Sequence, residues 1–161
     1  MLTTAQAWDI LARVPDPEIP AISVTELGIV RDVQAVEEGV DVVVTPTYSG
    51  CPATERIERS IREALSAAGA RDVRVRQQLS PAWSTDWIAE DARERLRAYG
   101  IAPPGERPVG GAQPLSFVPR VACPRCASAD TERLSQFGST ACKALYRCRA
   151  CREPFEYFKP L

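Results

Sequence analysis

Val40-Asp-Val-Val-Val44-Thr-Pro-Thr-Tyr-Ser-Gly-Cys51-Pro52 is the stretch on which the fold turns. Its valine run predicts a buried strand, bounded by the Glu37-Glu-Gly39 turn on one side. Thr45–Gly50 is turn chemistry, and Pro52 suits the first position of a helix because that position needs no N–H donor. Ile57, Ile61, Leu65 and Ala68 then recur at helical spacing up to Gly69. Asp72–Gln77 alternates valine with arginine, as a half-buried strand does.

Upstream, Leu27-Gly-Ile-Val-Arg-Asp-Val33 reads as a strand hairpinned to Val40–Val44. Thr3 with Gln6 fits a capping box, and Ala7, Ile10, Leu11 and Val14 form one apolar stripe that ends at Pro15. Asp16-Pro-Glu-Ile-Pro20 is an extended turn, since its prolines exclude helix. Downstream, Ser80–Asp86 is a loop, and Trp87–Tyr99 is a helix that buries Ile88, Ala92 and Leu96. The order is α-β-β-α-β-α: a small α+β sandwich with a three-stranded mixed sheet over residues 1–101. Residues 102–119 hold five prolines and three glycines, which makes them a linker or an extended strap rather than a packed element.

Residues 120–161 form a second module. Cys123-Pro-Arg-Cys126 and Cys148-Arg-Ala-Cys151 face one another across 21 residues. Four thiolates converging from two tight turns suit tetrahedral zinc, and a filled ligand set makes the ion structural. Two disulfides, four core thiols, or an iron–sulfur cluster are the competing readings of the same residues. Cys142 is read as a small residue packed in this ribbon, with a spare ligand or redox thiol as alternatives.

Composition narrows the chemistry. The chain has 161 residues, and its 45% hydrophobic content is enough for a real core. It has no histidine, which excludes Ser-His-Asp triads, HExxH proteases and histidine-ligated metals. There is no run of 18 apolar residues and no secretory pattern at the N-terminus, which points to a cytoplasmic protein with no membrane partner. Residues 1–114 carry 12 Lys and Arg against 17 Asp and Glu, a net of −5; residues 115–161 carry 8 against 4, a net of +4. Four zinc-bound thiolates would cut the ribbon's excess to +2, so the acidic body argues against nucleic acid and the mildly basic ribbon leaves only a weak case for it.

In the body, Cys51 is the candidate reactive residue. Placed at a helix N-terminus after Gly50, it reads equally as a nucleophile, redox thiol or transient metal ligand, or as a small apolar cap residue. Asp16 and Glu18 are candidate supporting carboxylates, against the simpler reading that Asp16 starts a turn. Trp83 and Trp87 flank a polar turn, one of them packing the sheet and the other either core or an exposed anchor.

Asp16-Pro-Glu-Ile-Pro20, Leu27-Gly-Ile-Val30, Thr45–Pro52 and Pro81-Ala-Trp-Ser-Thr-Asp-Trp87 together resemble the metal–sulfur cluster biosynthesis family, which includes SufT and eukaryotic cytosolic iron–sulfur targeting factors. The two knuckles and Phe137-Gly-Ser-Thr-Ala-Cys142 through Glu153-Pro-Phe155 resemble its PaaD-like branch, from bacterial aerobic phenylacetate degradation. The resemblance spans nearly the whole chain. It implies an accessory, non-catalytic protein that helps mature the iron–sulfur or iron centres of the multicomponent phenylacetyl-CoA oxygenase, a ring 1,2-epoxidase. Its implied partners are the oxygenase and reductase components and iron–sulfur assembly proteins. It carries the family cysteine onto Cys51 as a transient ligand of iron or a cluster, and the family's acidic turn onto Asp16 and Glu18. A structural subunit of the oxygenase and a thiol redox protein using Cys51 are the alternatives.

Overall fold

The computed structural model describes residues 1–105 and 120–161. Most of the predicted linker, residues 106–119, lies outside the described residues. The chain divides into two compact units, Met1–Ala92 and Arg93–Leu161.

In the first unit, α1 (Thr4–Leu11) starts at the predicted capping box: Gln6 N–H donates to Thr3 Oγ1, and Thr3 N–H donates to Gln6 Oε1. Strands β1 (Val30–Val36) and β2 (Gly39–Val44) pair antiparallel. After α2 (Thr54–Ala67), β3 (Asp72–Gln77) returns parallel to β2, which gives the mixed order β1-β2-β3. Val33, Val40, Val42 and Val44 are buried, as are Ile57, Ile61 and Leu65 of α2. These residues are the core that the valine run and the helical spacing predicted, except that Ala68, expected on the same buried face, is the C-cap of α2 and is exposed. Pro15 bridges to Ser23, closing the Asp16–Pro20 turn at its base.

Three boundaries differ from the sequence expectation. Strand β1 begins at Val30 because Leu27-Gly28 is a turn, with Gly28 at φ +75°. A Cβ on Gly28 would lie 2.7 Å from both Cβ and the carbonyl oxygen of Trp87. The last helix does not begin at Trp87. Thr85–Trp87 is a single 3₁₀ turn capped by Ser84 Oγ, Ile88 is extended, and α3 runs Glu90–Tyr99. Ile88, Ala92 and Leu96 are nonetheless all buried. Finally, α2 starts at Thr54, so Pro52 lies in the turn before it.

The second unit is a four-stranded sheet, β4 (Ile101–Ala102), β5 (Thr131–Ser135), β6 (Lys143–Cys148) and β7 (Pro154–Phe158), in the order β4-β7-β6-β5. Gly100, at φ +94°, lets the chain leave α3 and pair Ile101–Ala102 parallel with β7. Tyr146 is the centre of the ribbon core. Its ring stacks on Phe155 at 5.8 Å and meets Tyr157 edge-on at 5.6 Å. Lys143 is buried and donates to Glu156 at 2.8 Å, and Glu156 also accepts the Ser139 N–H. Burial pushes the Glu156 carboxyl up, but those two donors outweigh it and hold the group below its ordinary value. Through the Lys143 and Ser139 bonds, Glu156 pins the Phe137–Cys142 loop to β7.

Gly28 and Gly50 share a left-handed backbone, at φ +75° and +77°, but nothing lies within 4 Å of the Cβ position at Gly50. Gly50→Ala should therefore cost only the conformational term, about 1–2 kcal/mol. Gly28→Ala adds a clash with backbone and should cost clearly more in urea unfolding of the full chain. Equal losses would contradict the role given to the Gly28–Trp87 contact.

Candidate functional site

The ribbon holds the described residues' one convergent group of metal-ligating side chains: Cys123, Cys126, Cys148 and Cys151, with sulfurs all within 4.8 Å of one another. Each pair rides on a tight turn. Ala127 N–H donates to Cys123 O, and Cys151 N–H donates to Cys148 Sγ at 3.5 Å. The residue after each second cysteine is left-handed, Ala127 at φ 60° and Arg152 at φ 66°, although neither is glycine. Cys123 and Cys148 are buried, and no disulfide joins any of the six cysteines.

The geometry fits a tetrahedral ion. Cys123 and Cys151 sulfurs lie 3.7 Å apart and those of Cys126 and Cys148 lie 3.5 Å apart. A tetrahedron with metal–sulfur bonds of about 2.3 Å has edges of about 3.8 Å, whereas a disulfide needs about 2.05 Å. The charges agree. The Cys151 N–H, with lesser help from neighbouring donors, holds the Cys148 thiol down to about 7. For Cys151, the Glu153 N–H pulls down, but burial and the three neighbouring cysteines outweigh it and push the thiol up to about 12. Four sulfurs this close cannot all ionise unless a cation sits between them.

Cys51 is differently placed. It lies two residues before Ala53, the N-cap of α2, and is half-buried. Its N–H donates to Tyr48 O and its carbonyl accepts from Thr54 N–H, so the residue heads a turn rather than the helix itself. Its sulfur is 4.0 Å from Thr47 Oγ1. Asp16 is buried, and its Oδ1 accepts the N–H groups of Glu18 and Ile19, both at 2.8 Å. That bonding builds the turn. Glu18 reaches Arg56 of α2 at 3.6 Å. Asp16, Glu18 and Cys51 are not brought together as a ligand group. Cys142 is buried, 3.0 Å from Thr140 Oγ1, and stands apart from the four-cysteine group.

The two tryptophans tie loops that are distant in sequence. Trp83 is buried, with Nε1 donating to Leu27 O at 3.0 Å. Trp87 lies under the Arg31 guanidinium, 3.6 Å from its ring centre. Between Thr45–Ser49 and Leu79–Trp83 lies a cavity of about 60 Å³. Thr45 lines it, 1% exposed, with an Oγ1 that has no hydrogen-bond partner. Thr45 was not among the residues that the sequence marked as functional. Its one signal there is a hydroxyl following three consecutive valines.

Thr45→Val removes a buried unpaired hydroxyl at constant shape, so it should raise the unfolding free energy by about 1 kcal/mol. A loss of stability would mean that the hydroxyl is satisfied in solution. For the ribbon, elemental analysis should find one tetrahedral divalent ion per chain, and Cys148→Ser should abolish it. Structural zinc supplies about 10–16 kcal/mol in folds of this size. Chelation should therefore unfold β5–β7 while leaving the helical signal of α1 and α2. Thiolates are the ligands, so protons compete with the metal, and retention should fall as the pH is lowered. A folded metal-free ribbon would contradict this assignment.

Known proteins match both units. Residues 4–76 fit the family model described as iron–sulfur cluster assembly protein, and residues 112–159 fit that of the PaaD zinc beta ribbon domain. The chain is 55% identical to an Escherichia coli (strain K12) protein named as one subunit of a "Putative 1,2-phenylacetyl-CoA epoxidase", covering 96% of this chain and 91% of that one. Two solved structures share the fold of the first unit. One is a domain of unknown function, DUF59, from Bacillus anthracis, with 27% identity, a TM-score of 0.54, and 58% of this chain and 90% of that chain covered. The other is a conserved hypothetical protein from Thermotoga maritima, with 28% identity, a TM-score of 0.51, and 59% and 94% covered. With both modules and nearly its full length matched, the chain belongs to the PaaD family, an iron–sulfur cluster assembly domain joined to a zinc beta ribbon.

Proposed function

We propose that this protein is an accessory factor of the phenylacetate pathway that helps load iron or an iron–sulfur cluster into the phenylacetyl-CoA epoxidase system. The name of its Escherichia coli relative and the iron–sulfur assembly match support the setting. The observation that carries the mechanism is the contrast between its two kinds of cysteine. The four ribbon sulfurs form a closed set, which holds zinc as a structural ion. Cys51 is one half-buried soft donor that belongs to no group of three or more such ligands among the described residues. A single thiolate binds its iron cargo incompletely, so an acceptor with more ligands can take it.

In this reading the Tyr48 turn holds Cys51 just ahead of α2, and Asp16 keeps its own turn in shape. The client is the oxygenase or its reductase, the work takes place in the cytoplasm, and the chain performs no catalysis itself. That the relative is named as a subunit favours a second reading, a structural component of the epoxidase.

Cys51→Ser discriminates between them. Serine keeps the size and the backbone bonds of the turn, so stability should change by less than about 1 kcal/mol and ribbon zinc should stay. Epoxidase components purified from cells carrying only this variant should assemble but lack iron and activity, while the matured enzyme should turn over without this chain. Full activity with Cys51→Ser would rule out the carrier mechanism. A matured enzyme that stops whenever the chain is removed would establish the structural reading instead.

A further inference from the structure

The cavity between Thr45–Ser49 and Leu79–Trp83 holds an unanswered hydrogen bond. Thr45 lines it, 1% exposed, and its Oγ1 has no partner among the described residues. The backbone there is fixed on both sides. Thr45 N–H donates to Ile29 O at 2.8 Å, and Gln78 N–H donates to Val44 O at 2.8 Å. A buried hydroxyl without a partner lowers the stability of the free chain, and the void of about 60 Å³ beside it leaves room for a partner to enter.

The lining narrows the chemistry of that partner. Leu79 and Trp83 give apolar walls, and Trp83 commits its indole N–H to Leu27 O. Thr45, Thr47 and Ser49 give hydroxyls, and no charged side chain lines the cavity. An ionic ligand would be desolvated there without a counter-charge. The fitting occupant is neutral, small and largely apolar, with one weakly hydrogen-bonding atom, and a cysteine thiol has that description. Leu79 and Ser49 are exposed, so the cavity is reachable from solvent. Its position adds a further constraint. Thr47 lines the cavity, and its Oγ1 lies 4.0 Å from Cys51 Sγ, so one hydroxyl joins the cavity to the lone thiol.

We propose that this cavity admits a cysteine thiol of the protein that receives iron from Cys51, with Thr45 recognising the thiol and Thr47 linking it to Cys51. The inference rests on the carrier reading above and names the acceptor's first ligand. The exchange balances without a redox partner. The acceptor's sulfur bonds to the iron, the bond between iron and Cys51 Sγ breaks, and the acceptor's thiol proton passes to the Cys51 sulfur by way of the Thr47 hydroxyl. No electrons are transferred, and the net charge is unchanged. In this role the Thr45 hydroxyl, which destabilises the free chain, stabilises the complex.

The test uses the zinc-loaded full chain under anaerobic conditions, with N-acetylcysteine methylamide as a neutral capped cysteine. Binding is followed by NMR at the Thr45 methyl group and the Trp83 indole N–H, the latter serving for the variants, before any iron is added. Wild type should saturate at roughly millimolar ligand. N-acetyl-2-aminobutyrate methylamide, which carries a methyl group in place of the thiol, should bind about tenfold more weakly. Thr45→Val should erase that preference while remaining folded, and Thr45→Ser should restore it. Cys51→Ser should bind the capped cysteine like wild type, which makes this arm independent of whether Cys51 carries iron. After loading with ferrous iron, the capped cysteine should speed iron release to a plateau in wild type, and Thr45→Val should show no plateau. The proposal is overturned if neither signal moves, if the two capped ligands bind alike, or if Thr45→Val keeps the preference. It is equally overturned if imidazole or sodium sulfide occupies the cavity more tightly than the capped cysteine. Wild type that takes up no iron, with thiol binding intact, would keep the thiol site and overturn the carrier reading instead.

Discussion

Four sulfurs within 4.8 Å of one another impose the constraint around which the second half of this protein is arranged. Without a cation, their charges oppose ionisation, as the thiol of Cys151 pushed up to about 12 shows. With one, the two knuckles become rigid ends for β6 and β7, and a core as small as Tyr146, Phe155 and Tyr157 suffices between them. The strained backbone at Ala127 and Arg152 and the buried Lys143–Glu156 pair are tolerable on that frame. Both would be hard to support in a ribbon held by apolar contacts alone.

The first unit solves the opposite problem, which is to expose a thiol without losing control of it. Its core is conventional, valines of the sheet under α1 and α2. The loops at one end of the sheet are tied by contacts distant in sequence: Trp83 to Leu27, Gly28 against Trp87, and Trp87 under Arg31. Cys51, by contrast, is neither at the helix cap nor inside a ligand cluster among the described residues. One chain thus keeps two sulfur environments of opposed geometry, four converging sulfurs and one thiol outside that group.

Much of this was legible in the residues. Alternation placed β3 at Asp72–Gln77, the capping box placed α1, and the CxxC spacing picked out the four cysteines that converge, because each depends on neighbours in sequence. The misplaced boundaries mostly depend on distant partners. Gly28 turns where it does because Trp87 packs against it. Ile101–Ala102 becomes a strand only because β7 offers an edge. Lys143 reads as a surface residue until Glu156 is placed opposite it. Cys51, expected at the helix N-terminus, lies two residues before the N-cap Ala53, since its N–H and carbonyl are committed to the turn with Tyr48 and Thr54. Asp16 reads as a candidate ligand in sequence, and its oxygen is instead committed to the Glu18 and Ile19 amides.

The central claim is that the two cysteine sites divide the labour of holding and handing over metal. Its most direct test is a transfer experiment. The zinc-containing protein is loaded with isotopically labelled ferrous iron under anaerobic conditions, mixed with iron-free oxygenase and reductase components, and separated again. The account predicts that the labelled iron moves to a client protein while the zinc remains with this chain at one per molecule. Iron that stays behind, or zinc that leaves with it, would contradict that division.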